Sequence, residues 1–125
     1  MIDEQQKTEV VPNEVWCENK IIHYKLLSPV DEKEAERLDT AGRGFLDRNE
    51  ATSVLIDMQK SSDFSSAARK RWVGFLQHPQ IGKTAIFGGN VFVRTLATFV
   101  IGASQKKNIK FFAAEKEAIE WLQEA

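Results

Sequence analysis

From residue 21 onward, short continuous apolar runs alternate with longer stretches in which apolar residues recur every three or four positions. Runs of the first kind suit strands covered on both faces, and stretches of the second kind suit amphipathic helices. Strands are predicted at residues 21–27, 53–58, 83–87 and 109–113. A further apolar group, Val15-Trp16-Cys17, is separated from the first run by Glu18-Asn19-Lys20, which predicts an antiparallel hairpin. The first helix is placed after Ser28 as N-cap, with Pro29 in its first turn. Its inner face is Ala35, Leu38, Gly42, Phe45 and Leu46, and Gly42 and Gly44 blur its end. The second begins near Ser65, turns Ala68, Trp72, Phe75 and Leu76 inward, and stops at His78-Pro79. A third covers residues 90–104, and a fourth covers residues 115–124 with Ala118, Ile119, Trp121 and Leu122 inward.

Connections of these lengths favour parallel strands joined by right-handed crossovers. The expected fold class is therefore α/β: a single domain with a mostly parallel β-sheet, an N-terminal antiparallel hairpin and helices on its faces. Residues 1–13 are polar and are read as a flexible lead-in, and residues 14–125 as the domain. Among the helices the third stands out, because it is apolar around most of its girth. Phe92, Leu96, Phe99 and Val100 form one stripe, Val93, Ala97 and Ile101 widen it, and Arg94, Thr95 and Thr98 interrupt it. Such a surplus implies burial by a neighbouring helix, a dimer interface or a pocket for an apolar ligand.

Composition narrows the function more by exclusion than by assignment. A chain of 125 residues with 42% hydrophobic and 28% charged residues is an ordinary globular domain. The lone cysteine, Cys17, favours a reducing compartment, and the polar start and short apolar runs resemble neither a signal peptide nor a membrane span. The expectation is cytoplasmic. The formal charge of -1 is uneven, since residues 1–63 balance at -6 and residues 64–125 at +5. No acid lies between Phe64 and Ala114, which leaves open a basic surface for an anionic ligand or acidic partner.

Catalytic and metal chemistry find no foothold. Gly82-Lys83-Thr84 ends like a phosphate-binding loop, but the earlier glycine is replaced by Gln77 and the segment precedes a strand. His23, His78 and Cys17 lack metal-ligand spacing, no serine sits in a Gly-x-Ser-x-Gly elbow, and Asp57 and Asp63 suit loop caps. The basic triplet Arg69-Lys70-Arg71 is not a nucleic-acid motif. No catalytic residue, metal or cofactor is assigned. Gly88, Gly89 and Asn90 follow a strand and open a helix, with Arg94 one turn on, so they are candidates to hold an anionic group. Phe92, Leu96, Phe99 and Val100 are the candidate apolar contacts beside it.

Three segments carry a resemblance to a known family: Val54-Leu55-Ile56-Asp57, Lys83-Thr84-Ala85-Ile86-Phe87-Gly88, and the closing pattern from Ile109 to Leu122 with its Phe-rich strand, Glu-Ala and Trp-Leu. They resemble the SpoIIAA-like proteins, related to the STAS domain of bacterial anti-anti-sigma factors and to the SEC14 (CRAL-TRIO) lipid-transfer fold. The resemblance implies a non-enzymatic binding or regulatory module that engages a partner protein or forms a homodimer. Its SEC14 side implies the alternative, a carrier of a lipid or other anionic amphiphile. STAS regulators place a phosphorylatable serine at a helix start, and here the corresponding region is Ser61-Ser62-Asp63-Phe64-Ser65-Ser66. Ser65 and Ser66 are the regulatory candidates, although the family's Asp-Ser-Ser/Thr-Gly order is absent.

Overall fold

The computed structural model describes residues 11–60, 63–88 and 108–124. Strands β1 (Glu14–Glu18) and β2 (Ile21–Lys25) form the antiparallel hairpin, with Asn19 and Lys20 both at positive φ in its two-residue turn. This is the backbone that the right-handed twist of paired strands prefers. Helix α1 (Glu32–Asp47), strand β3 (Ser53–Asp57), helix α2 (Ser66–Leu76), strand β4 (Lys83–Phe87), strand β5 (Ile109–Phe112) and helix α3 (Glu115–Leu122) follow. The sheet order is β1-β2-β3-β4-β5, and every pairing after the hairpin is parallel. This is the expected α/β architecture. The expected helix over residues 90–104 lies outside the described residues.

Period-two alternation divides each strand between two cores. Ile22, Tyr24, Val54, Ile56 and Ile86 face Leu38 and Leu46 of α1 and Trp72, Phe75 and Leu76 of α2. Ile21, Leu55, Ala85 and Phe87 face Ala118 and Leu122 of α3, with Ile119 and Trp121 packed at the margin. Lys83 pins that last helix from the sheet, donating from Nζ to the carbonyls of Trp121 (2.8 Å) and Glu124 (3.1 Å). Its charge lies at the negative end of the helix dipole, where the Trp121 carbonyl also accepts from the Glu124 N–H at 3.2 Å.

Helix α1 begins later than the Ser28-Pro29 signal suggests. The N-cap is Asp31, whose carboxylate accepts from the Glu34 N–H at 2.8 Å. Ser28 is held instead by Asn13, whose Oδ1 accepts from the backbone N–H groups of Leu27 (2.6 Å) and Ser28 (2.9 Å). Val30 is likewise extended, in a parallel bridge with Phe64. The helix then runs through both glycines. It ends where Asn49 takes a positive φ and the Asn49 and Glu50 N–H groups reach Leu46 and Phe45, the paired bonds of a Schellman motif.

Gly42 lets α1 approach α2 and the sheet. A Cβ there would run into the Tyr24 hydroxyl and lie 2.7 Å from Phe75 Cζ. Both rings are fully buried, and Tyr24 donates to the Leu38 carbonyl at 2.9 Å. Gly42→Ala is expected to lower stability by about 1–3 kcal/mol through overpacking, read as a lower urea midpoint with unchanged slope.

Candidate functional site

The loops leaving β2 and β3 meet beyond the carboxyl ends of those strands. Val30 N–H donates to the Asp63 carbonyl at 2.8 Å, and Ser65 N–H donates to the Val30 carbonyl at 3.0 Å. The bridge brings the N-termini of α1 and α2 side by side. Along it runs an open groove of about 1140 Å³, lined by Ser28, Pro29, Val30 and Asp31 on one side and by Asp63 and Ser65 on the other. Lys33, Arg37 and Thr40 extend the groove along α1.

Ser65 is the N-cap of α2, its Oγ accepting from the Ala68 N–H at 3.1 Å. Ser66 opens the first turn, and both serines are exposed. Arg69, one turn on, donates from Nη1 to the Phe64 carbonyl at 3.0 Å and from Nη2 to Ser66 Oγ at 3.3 Å. A guanidinium is therefore fixed against the Ser66 hydroxyl at the positive end of a helix, an arrangement that favours added negative charge. The sequence placed Arg69 in a basic triplet. Its separation of three from Ser66 is the signal that would have paired them.

Across the groove, Asn13 is almost fully buried and donates from Nδ2 to Glu34 Oε2 at 2.8 Å. Arg37 donates to both Glu34 oxygens, at 2.9 and 2.7 Å, and to the Asn13 carbonyl at 2.9 Å. The Arg37 hydrogen bonds hold the Glu34 carboxyl below its usual pKa, with Asn13 adding to them against partial burial. Deeper between the helices, Asp39 accepts from Arg43 Nε at 2.6 Å and Arg71 Nε at 2.9 Å, so one buried carboxylate ties α1 to α2. Periodicity pointed to the apolar face of α1 and missed Asp39, because a polar residue on that face gives no hydrophobic signal.

Other candidates fall elsewhere. Asp57 Oδ1 accepts from the Gln59 N–H at 2.9 Å, a local turn bond. Gly88 follows β4 at φ 89°, and a Cβ there would collide with the Gln59 side chain and lie 3.0 Å from the Gln59 nitrogen. Backbone crowding thus accounts for this glycine. Ser61, Ser62, Gly89, Asn90, Phe92, Arg94, Leu96, Phe99 and Val100 lie outside the described residues, and with them the apolar part of the amphiphile reading. Among the described residues no group of three His, Cys, Asp or Glu side chains is placed to hold a metal, and no helix is long and apolar enough to cross a membrane.

Glu34 gives the site an acid signature. A lowered folded pKa contributes stability above the ordinary carboxyl value of 4.5, and that contribution is lost as pH falls through the folded value. Glu34→Gln is expected to lower unfolding free energy by about 1–2 kcal/mol at pH 7. The gap to the unsubstituted chain should close as the medium is acidified, which denaturant titrations across pH would read.

The chain belongs to the family described as domain of unknown function DUF7793, whose model matches residues 15–125. No curated protein matches it. Among solved structures it is similar to the anti-sigma factor antagonist SpoIIAA in its unphosphorylated form. The TM-score is 0.69 at 14% identity, covering 90% of this chain and 99% of that one. The phosphorylated form of SpoIIAA, a Bacillus cell fate determinant, gives 0.65 at 15% identity over 89% and 99%. An uncharacterised protein of the DUF3478 family from Shewanella loihica PV-4, with a SpoIIAA-like fold, gives 0.67 at 17% identity over 88% and 91%. The fold of this chain is SpoIIAA-like.

Proposed function

We propose that this DUF7793 chain is a non-enzymatic regulatory module of the cytoplasm that acts through a protein partner docked over the groove between the α1 and α2 N-termini. Phosphorylation of Ser66, or of Ser65 beside it, controls that contact. The observation that carries the reading is the exposed Ser66 hydroxyl on the first turn of α2, with the Arg69 guanidinium already 3.3 Å away. Transfer of a phosphoryl group from a nucleoside triphosphate by a partner kinase forms the Oγ–P bond, with loss of the hydroxyl proton and release of the diphosphate. The product anion meets Arg69 and the free N–H groups of the first helical turn. It also adds to the charge of a groove rim that carries Asp31, Glu34, Glu36 and Asp63 against Lys33 and Arg37, so a partner suited to one state is repelled by the other. Support from outside the chain is the shared fold with SpoIIAA, an anti-sigma factor antagonist solved in unphosphorylated and phosphorylated forms.

A photo-crosslinking amino acid at Thr40, in the groove, tests this in the native host. It is expected to capture a partner that Ser66→Asp releases, whereas the same group at exposed Lys116 captures none. An adduct unchanged by Ser66→Asp, together with intact masses showing no phosphate on residues 65–66 in any growth state, would overturn the switch.

A further inference from the structure

Two large apolar side chains stand exposed among the described residues: Trp16 (38%), on the edge strand β1, and Val11 (57%), three residues before that strand begins. Trp16 sits across from His23 of β2 and stacks on it, with ring centroids 4.9 Å apart and planes 8° apart. Helix α3 packs over β3, β4 and β5, so the stacked pair occupies the part of that sheet face beyond α3. Glu14 and Glu18 flank Trp16 on the same face, and the Trp16 Nε1–H donates to Glu18 Oε1 at 3.4 Å. Lys25, paired with Glu14, is the cation that β2 contributes there. Burial lowers the His23 pKa, while Glu18 and Glu115 raise it.

Among the described residues no strand pairs with the outer edge of β1. The two-residue turn makes Glu18 and Ile21 a hydrogen-bonded pair, and alternation along an antiparallel ladder gives Trp16–His23 and Glu14–Lys25 the same pairing. The N–H and C=O groups of Val15 and Cys17 therefore point away from β2. An open edge of this kind recruits another strand. A second copy of this chain fits poorly, because antiparallel pairing centred on Trp16 sets Glu14 against Glu18 twice, and like charges directly opposed are unfavourable.

We propose that β1 is a docking edge for an extended basic segment of a partner protein, which adds as a sixth strand through the backbone of Val15 and Cys17. Lysine or arginine at alternate positions of that segment faces Glu14 and Glu18 and covers the Trp16 ring, which adds a cation–π contact. This surface is separate from the groove at the α2 N-terminus and does not depend on the Ser66 switch.

The probe is an acetylated decapeptide of alternating lysine and valine, with its glutamate–valine counterpart as control, added to the full chain. Amide exchange at Val15 and Cys17 is expected to be fast in the free chain and slowed by the basic peptide alone. Glu14→Lys combined with Glu18→Lys should weaken binding about tenfold. Trp16→Thr, which keeps a strand-forming residue, should weaken it without altering the circular dichroism. Three outcomes would overturn the proposal: no protection at Val15 and Cys17, equal binding by the charge-reversed chain, or concentration-dependent protection without peptide, which would assign the edge to a second copy.

Discussion

Tyr24 is the wedge on which the α1–α2 face of the sheet depends. It rises from β2, meets Trp72 edge-on at 4.9 Å and Phe75 at 5.8 Å, and spends its hydroxyl on the Leu38 carbonyl inside α1. One ring therefore contacts the sheet, α1 and α2 at once. Burial drives its phenol pKa far upward, so the hydroxyl remains a hydrogen-bond donor. The space for it exists because residue 42 has no side chain. The Asp39 carboxylate adds a second tie between the same helices, paired to Arg43 of α1 and Arg71 of α2.

From that fixed pair of helices the geometry of the candidate site follows. Both α1 and α2 start beyond the carboxyl ends of their strands, where the Val30–Phe64 bridge sets one loop against the other. Ser65 and Ser66 are thus carried on the first turn of a helix whose far side is locked by Trp72, Phe75 and Leu76. A charge added at such a point acts on a rigid mount, and what changes is the surface a partner meets. Across the sheet, α3 leaves the hairpin end of its own face to Trp16 and His23.

Strands, hairpin and helix faces were legible because burial on a pleated or helical surface imposes its own period on the residues. Trp72 and Phe75 could be placed in the core by spacing alone. Three features were not legible, each for a physical reason. Ser28-Pro29 carries a local helix-start signal, but Asn13, distant in sequence, takes the Ser28 N–H and delays the start to Asp31. Asp39 is buried because two arginines from different turns and helices neutralise it. Arg69 reads as a solvated charge until the helix turns it back onto Ser66 and Phe64.

The sequence by itself determined the order and kind of the described elements, the leading hairpin and the serines at a helix start, since these rest on periodicity and on residues close along the chain. Connection lengths with right-handed crossovers made the rest of the sheet parallel. Only tertiary structure decided that the loops at Val30 and Phe64 join, that Glu34 is shared between Arg37 and Asn13, and that Gly88 answers to crowding by Gln59. It likewise decided which part of the sheet α3 leaves open around Trp16. Apart from the Glu34–Arg37 pair, one turn apart on α1, those contacts join residues far apart in the chain, and their energies depend on distance and direction in space, which no period along a sequence encodes.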